Sequence, residues 1–294
     1  MFTLPETRFD FAGDEYIYAE ISREMSSESN FKALAITNEL RRRKIPGIME
    51  ICPSNASYLV RFNPDIISEH DLLEYLKEID ITKSNPAELN LHVQIVEIPT
   101  WYDDPITQEF SRRFKSRHQE PELTNFEYVM KINGYKDKEA FIEAHSHMPY
   151  MISMMGFTPG GTWAFQLGVP RENMIQTPKY RSPRTETPVR SIGLGGAFTF
   201  VYTDPGPGSY QLIGISAAPV TYREQLLDDL KERVFLARPG DIWKFRSIDE
   251  REYNRIREEV QQGTYKYRMK EVVFSPEEYL RKTKTYIEHL MEGF

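Results

Sequence analysis

Residues 177–214 read TPKYRSPRTETPVRSIGLGGAFTFVYTDPGPGSYQLIG. Three prolines hold the first part of this stretch extended, because proline restricts its own backbone and that of the residue before it: Pro178, Pro183 and Pro188. Two apolar runs follow, at 191–203 and 210–215, with a tight hairpin turn predicted at 204–208. The stretch therefore predicts short strands with a proline-rich segment beside them.

The chain on either side of this stretch has the same strand-rich character. Further strands are predicted at 150–157 and 241–246, and few helices interrupt them. This pattern favours a closed or nearly closed β-barrel. Helices are predicted around the barrel, opening at Asp104-Pro105, near 123–132, near 137–146, near 248–261 and near 276–291.

The first hundred residues have a different organisation. Strands are predicted at 15–20, 48–52, 57–62 and 91–98, and helices at 30–43 and 69–79. The order β-α-β-β-α-β is the split βαβ arrangement. Pro46-Gly47 ends the first helix, and Ser68 is the natural N-cap of the second. We therefore expect an α+β protein with a small domain over 1–98 and a barrel domain with C-terminal helices over 99–294.

Composition excludes several classes of protein. The 294 residues carry a formal net charge of −7, which argues against a general nucleic-acid binder. No stretch approaches the roughly 20 apolar residues of a membrane span, and the first residues lack a signal-peptide run, so a cytoplasmic location is expected. The single cysteine, Cys52, excludes an intramolecular disulfide and is predicted to be a buried structural thiol.

The cations of the opening stretch suggest a chemistry. Lys179 and Arg184 project from an extended segment close in sequence to Gly195 and Gly196. Basic side chains together with backbone amides can stabilise a developing oxyanion. The alternative from spacing alone is a solvated loop with a tight turn. The sequence contains no P-loop, no Gly-x-Ser-x-Gly elbow and no complete dinucleotide-binding loop.

The pair His145 and His147 is a second candidate. On a strand the two imidazoles would share one face, but no third metal ligand is near, so no metal site is predicted. At a helix end they would be polar caps. One of the two histidines could still face a polar pocket and act as an acid–base group.

Several motifs resemble one family. The run 179–188, KYRSPRTETP, and the run 193–214 are similar to those of urea carboxylase carboxyltransferase domains. The run 145–160, HSHMPYMISMMGFTPG, resembles the stand-alone branch, which includes allophanate hydrolase subunit 1, the B subunit of 5-oxoprolinase and the KipI kinase inhibitor. Shorter matches are PGIME at 46–50, LVRF at 59–62 and RPGD at 238–241.

The resemblance implies a cyclophilin-like barrel that works as one subunit of a two-part enzyme. The implied partner is a homologous second barrel subunit, with a biotin carboxylase and a biotin carrier protein in the carboxylase branch. The implied carboxyl donor is carboxybiotin on that carrier, and ATP would be used by the complex. The implied reaction is carboxyl transfer or ATP-dependent hydrolysis of a small amide, a urea-like compound or a lactam. The implied site residues are Lys179, Arg184 and His145 for catalysis, with Tyr150, Thr158, Gly160, Gly195, Gly196, Tyr210 and Gln211 for substrate binding.

Two departures and one alternative accompany this interpretation. The family often has an arginine after the glycine that corresponds to Gly214, in the run predicted at 210–215, where this chain has Ile215. The stand-alone branch usually has Gln-Thr after the two glycines, where this chain has Ala197-Phe198. The alternative function is that of a KipI-like regulatory protein that binds a histidine kinase.

Overall fold

The computed structural model of the chain describes residues 4–83 and 89–294. The strands lie at β1 (Arg8–Phe11), β2 (Tyr16–Glu20), β3 (Ile48–Pro53), β4 (Ser57–Phe62), β5 (Leu91–Tyr102), β6 (Tyr150–Met155), β7 (Thr162–Gln166), β8 (Ser191–Gly195), β9 (Phe198–Val201), β10 (Gln211–Ser216), β11 (Ile242–Ser247) and β12 (Met269–Phe274). The helices lie at α1 (Ser27–Arg43), α2 (Glu69–Thr82), α3 (Pro105–Arg113), α4 (Asn125–Asn133), α5 (Lys138–His147), α6 (Glu250–Gln261) and α7 (Pro276–Leu290).

The first four strands form a small antiparallel sheet in the order β1-β2-β4-β3. Its helices begin where local capping signals stand. The side chain of Ser26 accepts a hydrogen bond from Ser29 N, and that of Ser68 accepts one from Asp71 N. One core joins the sheet to both helices, with Ile17, Val60 and Leu72 fully buried in it.

Helix α1 is buried on two sides. Ala33 and Ile36 pack into the core of the small sheet, whereas Phe31 and Leu34 pack against the larger one. Asn30 Nδ2 donates to the carbonyl of Ser54, which follows β3 of the small sheet, and to that of Ser153, on β6, each at 3.1 Å. The helix therefore ties the small sheet to the rest of the chain.

The remaining strands form an eight-stranded sheet in the order β10-β8-β9-β7-β6-β11-β5-β12. β10 also pairs with β5, through Gly214 opposite Tyr102 and Ser216 opposite Thr100. This pairing closes seven of the strands into a barrel and leaves β12 outside it. The predicted barrel is confirmed, and so is the α+β fold class.

Strand β5 differs from its prediction in length and in place. It continues through Pro99 to Tyr102 and lies in the large sheet, so it is not the last strand of the small one. On one edge it pairs with β12 as far as Val96 and with β10 from Thr100 onward. Pro99 stands where the partner changes, and proline is tolerated there because the ladder is interrupted. The domain boundary predicted at residue 98 stays a prediction.

The stretch 191–203 also differs from its prediction. It forms two strands, β8 and β9, that turn at Gly196, which has φ +59°. The segment 204–208 is not a hairpin turn, because β9 and β10 each pair with β8 and not with each other. Strands β1, β7 and β12 were not predicted. The thiol of Cys52 is exposed and not buried, since it lies on β3 at the edge of the small sheet.

Candidate functional site

The ammonium group of Lys179 lies over two aromatic rings on the outside of the barrel. Its Nζ is 5.3 Å from the ring centre of Tyr210 and 5.7 Å from that of Trp163. The side chain is exposed, and within residues 4–83 and 89–294 no carboxylate lies within ion-pair distance of it. Contact with the ring faces holds the cation in place and leaves its three N–H donors free.

The two rings beneath this ammonium group carry two more donors. The hydroxyl of Tyr210 and the indole Nε1 of Trp163 are buried, and neither has a hydrogen-bond partner in the part of the chain that is described. The two rings are 5.8 Å apart. Burial raises the pKa of Tyr210, so its hydroxyl stays protonated at neutral pH. Three donor groups without an acceptor are suited to an oxygen that carries negative charge.

Glycines on β8 make room for the ring of Tyr210. A Cβ on Gly195 would lie 2.3 Å from Tyr210 Cε1, and one on Gly193 would lie 2.9 Å from Tyr210 Cβ. Only glycine allows an aromatic ring to lie this close to the strand. The amide of Gly196 was predicted to face a ligand, but it donates instead to the carbonyl of Thr177 at 2.8 Å.

The segment that carries Lys179 is anchored along its length. Thr177 N and Gly196 O are 3.0 Å apart, Tyr180 N donates to Ser209 O at 2.7 Å, and Arg184 forms an isolated bridge with Gly208. Backbone hydrogen bonds on both sides of Lys179 therefore fix where its side chain starts. This is the extended segment that the prolines predicted.

Arg184 is fully buried, so its guanidinium does not reach solvent. Its Nη1 donates to the carbonyl of Tyr210 at 2.8 Å, and its guanidinium lies 4.6 Å from the ring centre of Tyr180. No described carboxylate pairs with it; the hydroxyl of Thr187 lies 3.4 Å from its Nε. Arg184 thus positions Tyr210, and a direct contact with substrate does not fit its burial.

Gln211 is also buried and has a bracing role. Its Nε2 donates to the carbonyl of Pro178 at 3.0 Å, and its Oε1 lies 3.0 Å from Nε2 of His118. The ring of His118 packs edge-on against Tyr128 and Tyr180. Sequence reasoning missed His118 and Trp163, because neither belongs to a local motif and both reach the site only through the fold.

His145 and Tyr150 lie on the inner side of the barrel wall. His145 lies in the last turn of α5, is fully buried, and its Nδ1 lies 2.8 Å from the hydroxyl of Tyr102. Its Nε2 lies 3.2 Å from Oγ1 of Thr199, whose neighbours Phe198 and Phe200 point outward toward Trp163. Because strand side chains alternate between faces, His145 and Lys179 lie on opposite sides of the sheet.

The pKa of His145 is lowered to about 3, first by burial and then by the charge of Lys244. The imidazole is therefore neutral at physiological pH. Burial raises the pKa of Tyr102, so its hydroxyl stays protonated, and the two ring nitrogens of the neutral imidazole pair with the hydroxyls of Tyr102 and Thr199. Tyr150 is 2 % exposed and packs against His145 at 5.0 Å between ring centres.

Thr158 and Gly160 lie in the loop between β6 and β7. Oγ1 of Thr158 is 2.8 Å from that of Thr203. Gly160 has φ +77°, and a Cβ there would meet the ring of Phe235 at 2.3 Å. Of the predicted site residues, the structure thus brings Lys179, Tyr210, Gly195 and Gly196 together. It uses Arg184 and Gln211 as braces and places His145, Tyr150, Thr158 and Gly160 elsewhere.

Lys179, Tyr210 and Trp163, together called the Lys179 group, lie on the barrel surface and outside two open clefts. A cleft of about 340 Å³ is lined by His92, Arg238 and Glu271 among others. A cleft of about 560 Å³ is lined by residues of α5 and of the loop after β7, such as Glu143 and Gln166. A site built on Lys179 therefore needs a second surface to enclose it.

The family model described as "Carboxyltransferase domain, subdomain C and D" matches residues 7–226. The chain belongs to this family. The resemblance inferred from the motifs is confirmed.

Curated relatives carry two kinds of name. The chain is 25% identical over 281 residues to urea amidolyase of Saccharomyces cerevisiae, which covers 94% of the chain and 15% of that protein. It is 29% identical over 261 residues to the 5-oxoprolinase B subunit of Bacillus subtilis, which covers 84% of the chain and 95% of that protein. The chain thus spans under a sixth of the amidolyase and nearly all of the oxoprolinase component.

A solved structure confirms the fold. The urea amidolyase of K. lactis superposes with a TM-score of 0.80 at 23% identity, over 98% of this chain and 17% of that one. The curated relatives are named as enzymes or enzyme subunits, and the chain carries a domain of the carboxyltransferase family over residues 7–226. Among the described residues, no helix has both the length and the apolar character needed to cross a membrane.

Proposed function

We propose that this chain is the first subunit of a two-part module that transfers a carboxyl group to, or hydrolyses, a small amide, urea-like or lactam substrate. One observation carries the proposal: among the described residues the ammonium of Lys179 has no carboxylate partner, and it lies over the rings of Tyr210 and Trp163, whose donors have no acceptor. Carboxyl transfer and amide hydrolysis both develop negative charge on an oxygen. Fixed donors aimed at that oxygen lower the barrier.

The roles of the residues follow from their surroundings. Lys179 supplies a positive charge and donors, and the hydroxyl of Tyr210 supplies a neutral donor that stays protonated. Arg184 and Gln211 act as positioning residues, because they hold the carbonyls of Tyr210 and Pro178. In this proposal His145 and Tyr150 maintain the barrel wall behind the site and do not touch substrate.

The proposed partner is a homologous second barrel subunit that covers the Lys179 group. Aromatic side chains near that group are incompletely covered: Phe157 is 62% exposed, and its ring packs 6.0 Å from that of Phe200. Enclosure by a second protein would exclude water and strengthen each hydrogen bond to the reacting oxygen. The name of the Bacillus relative, which is that of an enzyme subunit, supports a multi-protein assembly.

The proposed cofactors act through the assembly. In the carboxylase form, carboxybiotin on a carrier protein would bring the carboxyl group, and a biotin carboxylase would use ATP to load it. In the amidohydrolase form, ATP would be consumed by the complex itself. The name urea amidolyase supports the first form, and the 5-oxoprolinase name of the Bacillus relative supports the second.

The test uses the assembled complex purified from the native host or co-expressed. We expect Lys179→Ala to lower ATP-dependent turnover of urea or of a lactam by about 100-fold, the usual cost of losing one oxyanion donor. Tyr210→Phe removes only the hydroxyl and should lower turnover by about tenfold. The matched control is Lys77→Ala on α2, whose ammonium pairs with Glu74 at 3.0 Å and lies on the small-sheet side of the chain.

Unchanged turnover in Lys179→Ala would overturn the assignment. A pull-down of this chain from the native host is the second test. Recovery of a barrel homologue supports the enzyme, whereas recovery of a histidine kinase, with no barrel homologue, would favour the KipI-like alternative.

A further inference from the structure

Two arginines from distant parts of the chain converge beyond the end of β10. Nη1 of Arg190 donates to the carbonyl of Ser216 at 2.6 Å. Nη1 of Arg257, on α6, donates to the next carbonyl, that of Ala217, at 3.1 Å. Arg190 Nη1 also donates to the hydroxyl of Tyr253 at 3.2 Å, and Tyr253 lies four residues before Arg257 on α6. Because residues four apart share one face of a helix, the two arginines meet on the same face of α6.

No described carboxylate neutralises either guanidinium. The acidic side chains of α6 that form ion pairs are occupied elsewhere, Glu252 with Arg246 and Glu259 with Arg255. Arg190 adds a like charge close to Arg257. Burial, and after it the charge of Arg190, lowers the pKa of Arg257. Two like charges that are half-buried together destabilise the fold unless an anion joins them.

The backbone at Arg190 supports a role for its side chain. Its φ is +70°, in the left-handed region that favours glycine. A residue with a Cβ pays about 1 kcal/mol there, so the fold holds this arginine at a local cost. Backbone strain of this kind is enriched at functional sites.

The donors that remain can bind a ligand. A guanidinium has five N–H groups, and only Nη1 is engaged on each arginine within the described residues. The hydroxyl of Tyr253 accepts from Arg190 Nη1 at 3.2 Å and keeps its own hydrogen for donation. Both arginines are half-buried, so their free N–H groups reach solvent.

We propose that Arg190 and Arg257, with the hydroxyl of Tyr253, form a binding site for a doubly charged oxyanion, namely phosphate or the phosphate group of a phosphate ester. Two planar forks carrying two positive charges match the charge and the oxygens of such a group, since arginine binds phosphate through paired hydrogen bonds. A single carboxylate would neutralise only one of the charges.

This site is separate from the Lys179 group. Arg190 immediately precedes β8, whereas the Lys179 segment is bridged to Gly196, just after the other end of that strand. Five strand residues span about 16 Å. One phosphate cannot contact both places, so the two sites are tested independently.

The test is a titration of the full chain with inorganic phosphate at low ionic strength, monitored by calorimetry. A titration with chloride is the control for a general effect of anions. We expect one saturable event in the wild type. Arg190→Gln and Arg257→Gln should each weaken it at least about tenfold, because each removes a charge-assisted hydrogen bond. Two variants should keep wild-type affinity: Arg255→Gln, on the same helix but paired with Glu252 and Glu259, and Lys179→Ala.

A second measurement guards against misfolding. Phosphate should raise the Tm of the wild type and of Arg255→Gln, since a ligand that binds only the folded chain stabilises it, and should not raise that of the two site variants. Phenyl phosphate in place of phosphate distinguishes an ester from the free ion: tighter binding assigns the ester, and equal or weaker binding assigns the ion. Three results would each overturn the proposal. They are no saturable phosphate binding in the wild type, wild-type affinity for phosphate in both site variants, and binding of succinate in place of phosphate.

Discussion

Acid should destabilise this protein through one buried imidazole. His145 is fully buried, and burial together with Lys244 lowers its pKa from 6.5 to about 3. Between these two values the unfolded chain binds a proton at this position and the folded chain does not. Stability from this group is therefore present above pH 6.5 and is lost as the pH falls.

The magnitude follows from the separation of the two values. Each pH unit within the window costs about 1.4 kcal/mol, and the whole window, from 6.5 to about 3, corresponds to at most about 5 kcal/mol. From pH 6.5 to 4.5 we expect a loss of about 2–3 kcal/mol from His145 alone. That loss is a large part of the stability of an ordinary domain.

The assay is urea unfolding of the chain at pH 6.5, 5.5 and 4.5, followed by tryptophan fluorescence. His145→Gln should be less stable at pH 6.5, because it loses contacts with Tyr102 and Thr199, but its stability should fall less steeply with acid. His147→Gln is the matched control: its imidazole is two residues away and 56% exposed.

Buried carboxylates do not confound the comparison. Burial raises the pKa of Asp104 and of Asp241. Both residues are present in the wild type, in His145→Gln and in His147→Gln, so their protonation contributes to all three pH profiles. Parallel pH profiles for the wild type and His145→Gln would refute the reasoning, since the imidazole would then be accessible to protons in the folded chain.

Two further substitutions test how the Lys179 group is held in place. Gly195→Ala puts a Cβ 2.3 Å from the ring of Tyr210 and should lower the free energy of unfolding by about 1–3 kcal/mol; Gly206→Ala, where a Cβ meets nothing within 4 Å, is its control, and equal stabilities would contradict the packing argument. Arg184→Ala leaves the carbonyl of Tyr210 without its donor and opens a buried cavity, so urea unfolding should show a loss of about 3 kcal/mol or more in the free energy of unfolding. Arg181 is exposed, so Arg181→Ala should change little and is the control. A wild-type unfolding midpoint for Arg184→Ala would rule out the bracing role.

Local signals in the sequence predicted most helices well. Ser68 caps α2, and Asp104 accepts from Ile106 N and Thr107 N where α3 begins with Pro105. These contacts lie within one turn, so the residues that make them are neighbours in the sequence. The barrel was predictable for a related reason: short apolar runs between glycine and proline leave few other ways to bury a sheet.

Pairing between distant strands was not predictable in the same way. The run at 91–98 has the alternation of a strand, but alternation does not say which sheet the strand joins. β5 joins the large sheet because its edge pairs with β12 and β10, which lie more than a hundred residues later. The prediction that placed it in the small sheet used only its neighbours in the sequence.

The motifs also predicted which residues matter better than they predicted what each one does. The resemblance singled out Lys179, Arg184 and Gln211 alike, yet only Lys179 is exposed. Burial of a cation depends on the residues that surround it in space, here the rings and carbonyls that surround Arg184. A sequence motif does not contain that information.

The sequence by itself determined the family, the succession of helices and strands in outline, and the extended Lys179 segment, because each of these depends on short-range steric and capping preferences or on runs of residues. The tertiary structure decided which sheet β5 joins, that His145 and Lys179 lie on opposite faces of the barrel wall, and that Trp163 and His118 belong near Lys179. The physical reason is that a strand's two faces and its hydrogen-bonded edges are assigned only when distant strands pair.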